Sequence, residues 1–73
     1  MTSVESIGER IKKIRKSKKL TQYDLADKVG TTPCSISNWE EGKRYMSIYY
    51  FSKLCKALDV SSDYILYGEE QEE

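Results

Sequence analysis

The chain has 73 residues, 38% of them hydrophobic and 11% aromatic, with 12 Lys and Arg against 12 Asp and Glu and no histidine. A chain this short buries only about 60% of the surface its unfolded form exposes, so it holds one core and no chamber for a large substrate. Without histidine it has no Ser-His-Asp or Cys-His constellation and no His-bearing zinc site, and Cys34 and Cys55, with no CxxC pair, build neither a disulfide framework nor a four-ligand metal site.

These exclusions lead to the expectation of a non-enzyme without cofactor or metal, with no small-molecule ligand evident. A reducing, cytoplasmic compartment suits the cysteines. No apolar run approaches the roughly 20 residues of a membrane span, and residues 1–7 show no export signal, so no membrane partner is expected.

In chain order, Ser6 to Lys19 reads as a first helix, because Ile7, Ile11 and Ile14 share one face while Lys12, Lys13 and Lys16 point away. Arg15 falls at the edge of that apolar stripe, where its guanidinium needs a partner. The segment also concentrates charge: seven of the twelve cations lie between Arg10 and Lys19 with no acid among them. Residues 69–73 contain four Glu and one Gln, so without them 12 cations face 8 carboxylates and the body carries +4. A cationic run of this kind is either a solvated helix face or a surface for phosphates.

Thr21 with Asp24 resembles a capping box that opens a second helix, ended at Gly30, with Leu25, Ala26 and Val29 on its inner face. Thr32-Pro33 starts a third helix, which runs to about Glu41 and is anchored by Ile36 and Trp39. Pro33, Cys34, Ser35, Ser37 and Asn38 remain outside that thin stripe. A loop, Lys43 to Met46, leads to Ser47, the cap of a fourth helix in which Ile48, Phe51, Leu54, Cys55 and Leu58 give the clearest periodicity. Ser61 caps a short fifth helix through Tyr64, Ile65 and Leu66, closed by Gly68. The reading is all-α: one domain over residues 1–68, followed by an acidic, disordered tail over 69–73.

From Gln22 to Glu41, two helices joined by a tight turn carry Leu25, Val29, Ile36 and Trp39, with a small residue at Ala26 and a turning glycine at Gly30. A small residue lets two helices approach, and glycine supplies positive φ. The stretch LTQYDLADKVGTTPCSISNWEEGKR followed by LCKALDVSSDYILYG resembles the phage-repressor-like helix-turn-helix family, over nearly everything from Ile7 to Gly68. The resemblance implies a lambda-repressor-like five-helix bundle that binds double-stranded DNA as a homodimer, in the cytoplasm of a bacterium or from a phage genome.

It further implies that the third helix enters the major groove, with Pro33, Cys34, Ser37 and Asn38 at base edges. An amide such as Asn38 pairs bidentately with adenine, a serine hydroxyl accepts any base, and Pro33 and Cys34 offer apolar contact to a thymine methyl. Phosphates are met by Thr21 and Gln22 at the start of the second helix, by Ser35, and by Lys43, Arg44 and Tyr45 in the loop. Arg15 is expected to form a structural ion pair with Glu40, and Met46, Ser62, Ile65 and Tyr67 to form a symmetric dimer interface.

Three positions depart from the family pattern: Glu41 stands where Arg or Asn is frequent, Met46 where proline is common, and Ser62 where leucine is common. A carboxylate at Glu41 weakens phosphate binding. A protein-interaction module working through Met46, Tyr49 and Tyr50, with the acidic tail recruiting a basic partner, is the alternative. An antitoxin or restriction-modification controller is equally compatible. Cys34, near a helix start on the DNA-facing surface, is either a redox switch or a small contact residue, and Cys55 belongs to the core.

Overall fold

The computed structural model describes residues 3–68, so the acidic tail expected to be disordered lies outside the described residues. Each of the five helices starts at a hydroxyl: Ser3, Thr21, Thr32, Ser47 and Ser61 accept from a first-turn backbone N–H. They open α1 (Val4–Ser17), α2 (Gln22–Val29), α3 (Pro33–Glu40), α4 (Ile48–Leu58) and α5 (Ser62–Tyr67).

α1 begins two residues before the expected start. Ser6 is not the opening residue but half of a capping box, in which Ser3 and Ser6 exchange backbone N–H to Oγ bonds of 3.1 Å. The helix also stops early, at Ser17, because Lys19 turns left-handed (φ 60) and the Leu20 N–H closes back onto the Arg15 carbonyl at 3.1 Å. Gly30 (φ 87) ends α2 in the same way, its N–H reaching the Ala26 carbonyl at 2.8 Å. α4 ends on left-handed Asp59 (φ 58), a residue type that tolerates this region better than most.

The core draws on every helix: Ile11 and Ile14 of α1, Leu25, Ala26 and Val29 of α2, Ile36 and Trp39 of α3, Leu54 and Leu58 of α4, and Ile65 of α5. Two expectations are corrected by it. Ile48, read as part of the buried stripe of α4, is 85% exposed because it sits in the first turn, beyond the end of the core. Ile65, expected at a dimer interface, is fully buried in its own core and has no surface to offer a second copy.

α1 packs against α3 and α5, and α2 against α3 and α4. Gly8 fixes the first approach: a Cβ there would lie 2.5 Å from the Glu40 carbonyl oxygen and closer still to that of Trp39. Arg10 fixes the second, since its Nη1 donates to the carbonyls of Ile65 at 2.6 Å and Leu66 at 3.0 Å, at the C-terminal end of α5. It therefore caps the C-terminal end of α5, where a helix presents its terminal carbonyls. Arg10 and Arg15 thus leave the cationic run for structural duty, while Lys12, Lys13, Lys16, Lys18 and Lys19 stay exposed.

Candidate nucleic-acid interface

The helix-turn-helix pair is held from beneath by a buried polar centre. Arg15 and Glu40 are 6% and 4% exposed, with Nε to Oε2 at 2.6 Å and Nη2 to Oε1 at 3.2 Å. The third guanidinium nitrogen, Nη1, donates to the Leu20 carbonyl at 2.8 Å, in the turn before α2. This fork ties α1, the α1–α2 turn and the end of α3 to one another, and planar bidentate pairing is the geometry that arginine serves better than lysine. Among the described residues no buried side-chain polar atom lacks a partner.

Gln22 joins the same centre. Its Nε2 donates to Glu40 Oε1 at 3.0 Å, linking the first residue of α2 to the last of α3. Spacing along the chain gives no sign of this inward bond, since the two residues stand 18 positions apart. An amide nitrogen carries two hydrogens, so one donor of half-buried Gln22 remains beyond the bond to Glu40. Thr21 beside it is occupied locally: its hydroxyl accepts from the Asp24 N–H at 3.0 Å, and its own N–H reaches Asp24 Oδ2 at 2.9 Å. The Thr21 backbone N–H on the carboxylate, followed by the nearby Thr21 hydroxyl, draws the Asp24 carboxyl below its ordinary range.

On α3, Cys34 is exposed, and Pro33, Ser35, Ser37 and Asn38 are half-buried along the same outer side. The Asn38 amide nitrogen lies one turn from Cys34 and donates to its Sγ at 3.7 Å. Ser35 belongs to the cap, its N–H 3.1 Å from Thr32 Oγ1. These residue types supply an amide, a hydroxyl and two apolar contacts, a set suited to base edges. α2 and α3 meet through Leu25, Ala26, Val29 and Ile36, all buried, so their outer faces keep a fixed relation.

The loop after α3 adds charge. Lys43, Arg44 and Tyr45 are all exposed, and together with Ser3, Glu5 and Ile7 they line an open cleft of ≈ 530 Å³ beside the start of α1. Lys43 Nζ pairs with Glu41 Oε1 at 3.0 Å, and Ser37 Oγ donates to Glu41 Oε2 at 3.4 Å. Lys43, then Ser37 and Lys12, hold the Glu41 carboxyl below its ordinary range. The departure at Glu41 was visible in the sequence, but its two partners were not.

Of the remaining expected interface residues, Met46 is half-buried, and Ser62 and Tyr67 are exposed. Tyr45, Ile48 and Tyr49 are exposed as well, whereas the Tyr50 ring lies tilted against Trp39, centroids 5.6 Å apart, and Tyr64 packs on the core. An apolar groove of ≈ 190 Å³ runs between Val4, Ile7, Met46, Ile48, Phe51 and Leu66. No group of three or more His, Cys, Asp or Glu among the described residues is placed to hold a metal ion, and no described helix is long and apolar enough to cross a membrane.

Comparison with known proteins gives this geometry its family. Residues 11–65 match the family model described as Helix-turn-helix. The chain is 43% identical over 65 residues to an uncharacterized HTH-type transcriptional regulator, YqaE of Bacillus subtilis, covering 89% of this chain and 56% of that one. It thus spans about half the length of this relative. Among solved structures, the P22 c2 repressor in complex with synthetic operator 9T superposes with a TM-score of 0.82 at 38% identity, covering 86% of this chain and 96% of that one. The restriction-modification controller protein C.AhdI of Aeromonas hydrophila does so with 0.83 at 28% identity, covering 86% and 96%. With the family model matched from the middle of α1 to α5, and the five-helix lambda-repressor-like architecture shared with these structures, the chain belongs to the helix-turn-helix family.

Proposed function

We propose that this chain is a sequence-specific, double-stranded-DNA-binding transcriptional regulator, acting as a repressor in the cytoplasm of a bacterium or from a phage genome. α3 enters the major groove, where Asn38 pairs with adenine, Ser37 meets a neighbouring base edge, and Pro33 and Cys34 contact thymine methyls. Thr21, Gln22 and Ser35 at the helix starts, with Lys43, Arg44 and Tyr45, fix the register on phosphates. A homodimer joined through Met46, Ser62 and Tyr67 places two such helices about one helical turn apart on a palindromic operator. The observation that carries this reading is the outer side of α3, where Cys34 is exposed and Pro33, Ser37 and Asn38 are half-buried, with Gln22 of α2 tied to the end of α3 through Glu40 and the exposed Lys43–Arg44 loop following it.

Selection from a random double-stranded DNA library by the purified protein tests it. A palindrome with about 10 bp between half-site centres, blurred at one position by Asn38→Ala and bound more weakly as salt rises, is the expected result. No enrichment, and no binding at low salt, refutes it. The exposed cluster Tyr45, Ile48 and Tyr49 then favours the second reading, a protein-interaction module built on the same fold.

A further inference from the structure

Glu41 occupies the C-terminal cap of α3, where the helix dipole disfavours a negative charge, and no basic residue stands in the last turn to offset it. Its side chain is 52% exposed, so an ion pair there adds little to stability. The carboxylate is nevertheless engaged at both oxygens, by Lys43 Nζ at 3.0 Å and Ser37 Oγ at 3.4 Å, with Lys12 of α1 close enough to add attraction. A cation and a hydroxyl on one oxyanion form the donor set that proteins present to a DNA phosphate.

We infer that Glu41 is an affinity-setting residue, a resident anion that occupies Lys43 and Ser37 and must yield to DNA before either can serve it. The inference rests on the DNA-binding reading. Its physical content is a competition. In the unbound protein Lys43 is already neutralised, so it releases few counterions from a phosphate it meets, and the carboxylate left beside that phosphate repels it. The part of the effect that acts through Lys43 is independent of base sequence. It lowers binding to specific and random DNA alike and reserves occupancy for sites with the full set of α3 contacts.

Equilibrium binding of the selected operator by wild type and Glu41→Gln, over about 0.05 to 0.2 M salt, tests this. Glutamine keeps the size of the side chain and its bond to Ser37 while removing the charge. The variant is expected to bind about five- to tenfold more tightly at the low-salt end. Its log–log salt slope should steepen by about one, so that about fourfold of the gain is gone at the high-salt end. Lys43→Ala should then cost more affinity in the Glu41→Gln background than in wild type. Asp63→Asn, the same charge change on exposed α5, should shift affinity by less than about twofold and serves as the control for net charge. Unchanged or weaker binding by Glu41→Gln, or an equal gain from Asp63→Asn, overturns the inference while the DNA-binding reading stands. Failure of every form to bind any DNA, with helical spectra intact, overturns both.

Discussion

Replacing Arg15 by methionine removes the partner that neutralises Glu40, and the structure sets the scale of the damage. Three guanidinium hydrogen bonds disappear, two to Glu40 at 2.6 and 3.2 Å and one to the Leu20 carbonyl at 2.8 Å. The Glu40 carboxylate, 4% exposed, keeps only Gln22 Nε2 at 3.0 Å. Stranding one member of a buried pair costs about 3–5 kcal/mol. A domain of this size has a total of roughly 4–11 kcal/mol at about 0.05–0.15 kcal/mol per residue. With a urea dependence near 1 kcal/mol per molar, the midpoint is expected to fall by about 3–5 M, enough to leave a weakly stable parent largely unfolded. Glu40→Leu alone should cost a similar amount. The double variant Arg15→Met/Glu40→Leu has no stranded charge, so it should recover at least about 3 kcal/mol relative to the sum of the single losses. Urea titrations followed by far-ultraviolet circular dichroism measure all four corners of this cycle. A loss below about 1 kcal/mol for Arg15→Met, or additive single losses, would refute the claim that this pair is mutually dependent and shielded from water.

Gly8→Ala puts a methyl against the Trp39 and Glu40 carbonyls, which are backbone atoms that cannot rotate aside, so α1 must part from α3. The thermal midpoint is expected to drop by well over 10 °C, on a scale of roughly 4–8 °C per kcal/mol, and an unchanged melt argues against the close approach. The Asp24 carboxyl is held below its ordinary 3.8 by the Thr21 N–H and hydroxyl, so its contribution is complete above that value and lost as pH falls through the lowered one. Asp24→Asn should therefore flatten the acid side of the stability profile, and an acid side identical to wild type would count against the capping box. Burial raises the Cys55 thiol while Cys34 is exposed, so a thiol reagent near pH 8 should label Cys34 first. Peptide mapping showing Cys55 modified at an equal rate would contradict the packing of α4.

The features legible in the sequence were those whose physics is local. Thr21 with Asp24, Thr32-Pro33, Ser47 and Ser61 announce helix starts because a hydroxyl satisfies a donor only two or three residues away. Ser3 obeys the same rule, but the apolar repeat begins only at Ile7, so periodicity by itself places the start near Ser6. Ile11, Leu25, Ile36, Leu54 and Leu58 declare an inner face by spacing alone, and all are buried. Ile48 fits that spacing equally well and is exposed, because periodicity assigns a face and does not reveal where the neighbouring helix ends.

Sequence by itself therefore determined five helices, the caps of four of them, their apolar stripes and the helix-turn-helix pattern that places the chain in its family. The Arg15–Glu40 pair was expected from the family resemblance, whereas the tertiary structure alone revealed the other long-range partners. Arg10 meets the end of α5 across 55 residues, Gln22 meets Glu40 across 18, and Ile65 belongs to the core of its own chain. Caps and periodicity act within about one helical turn, whereas these pairings depend on how separate helices are set against one another, and that placement is fixed only when all the stripes bury their apolar surface together.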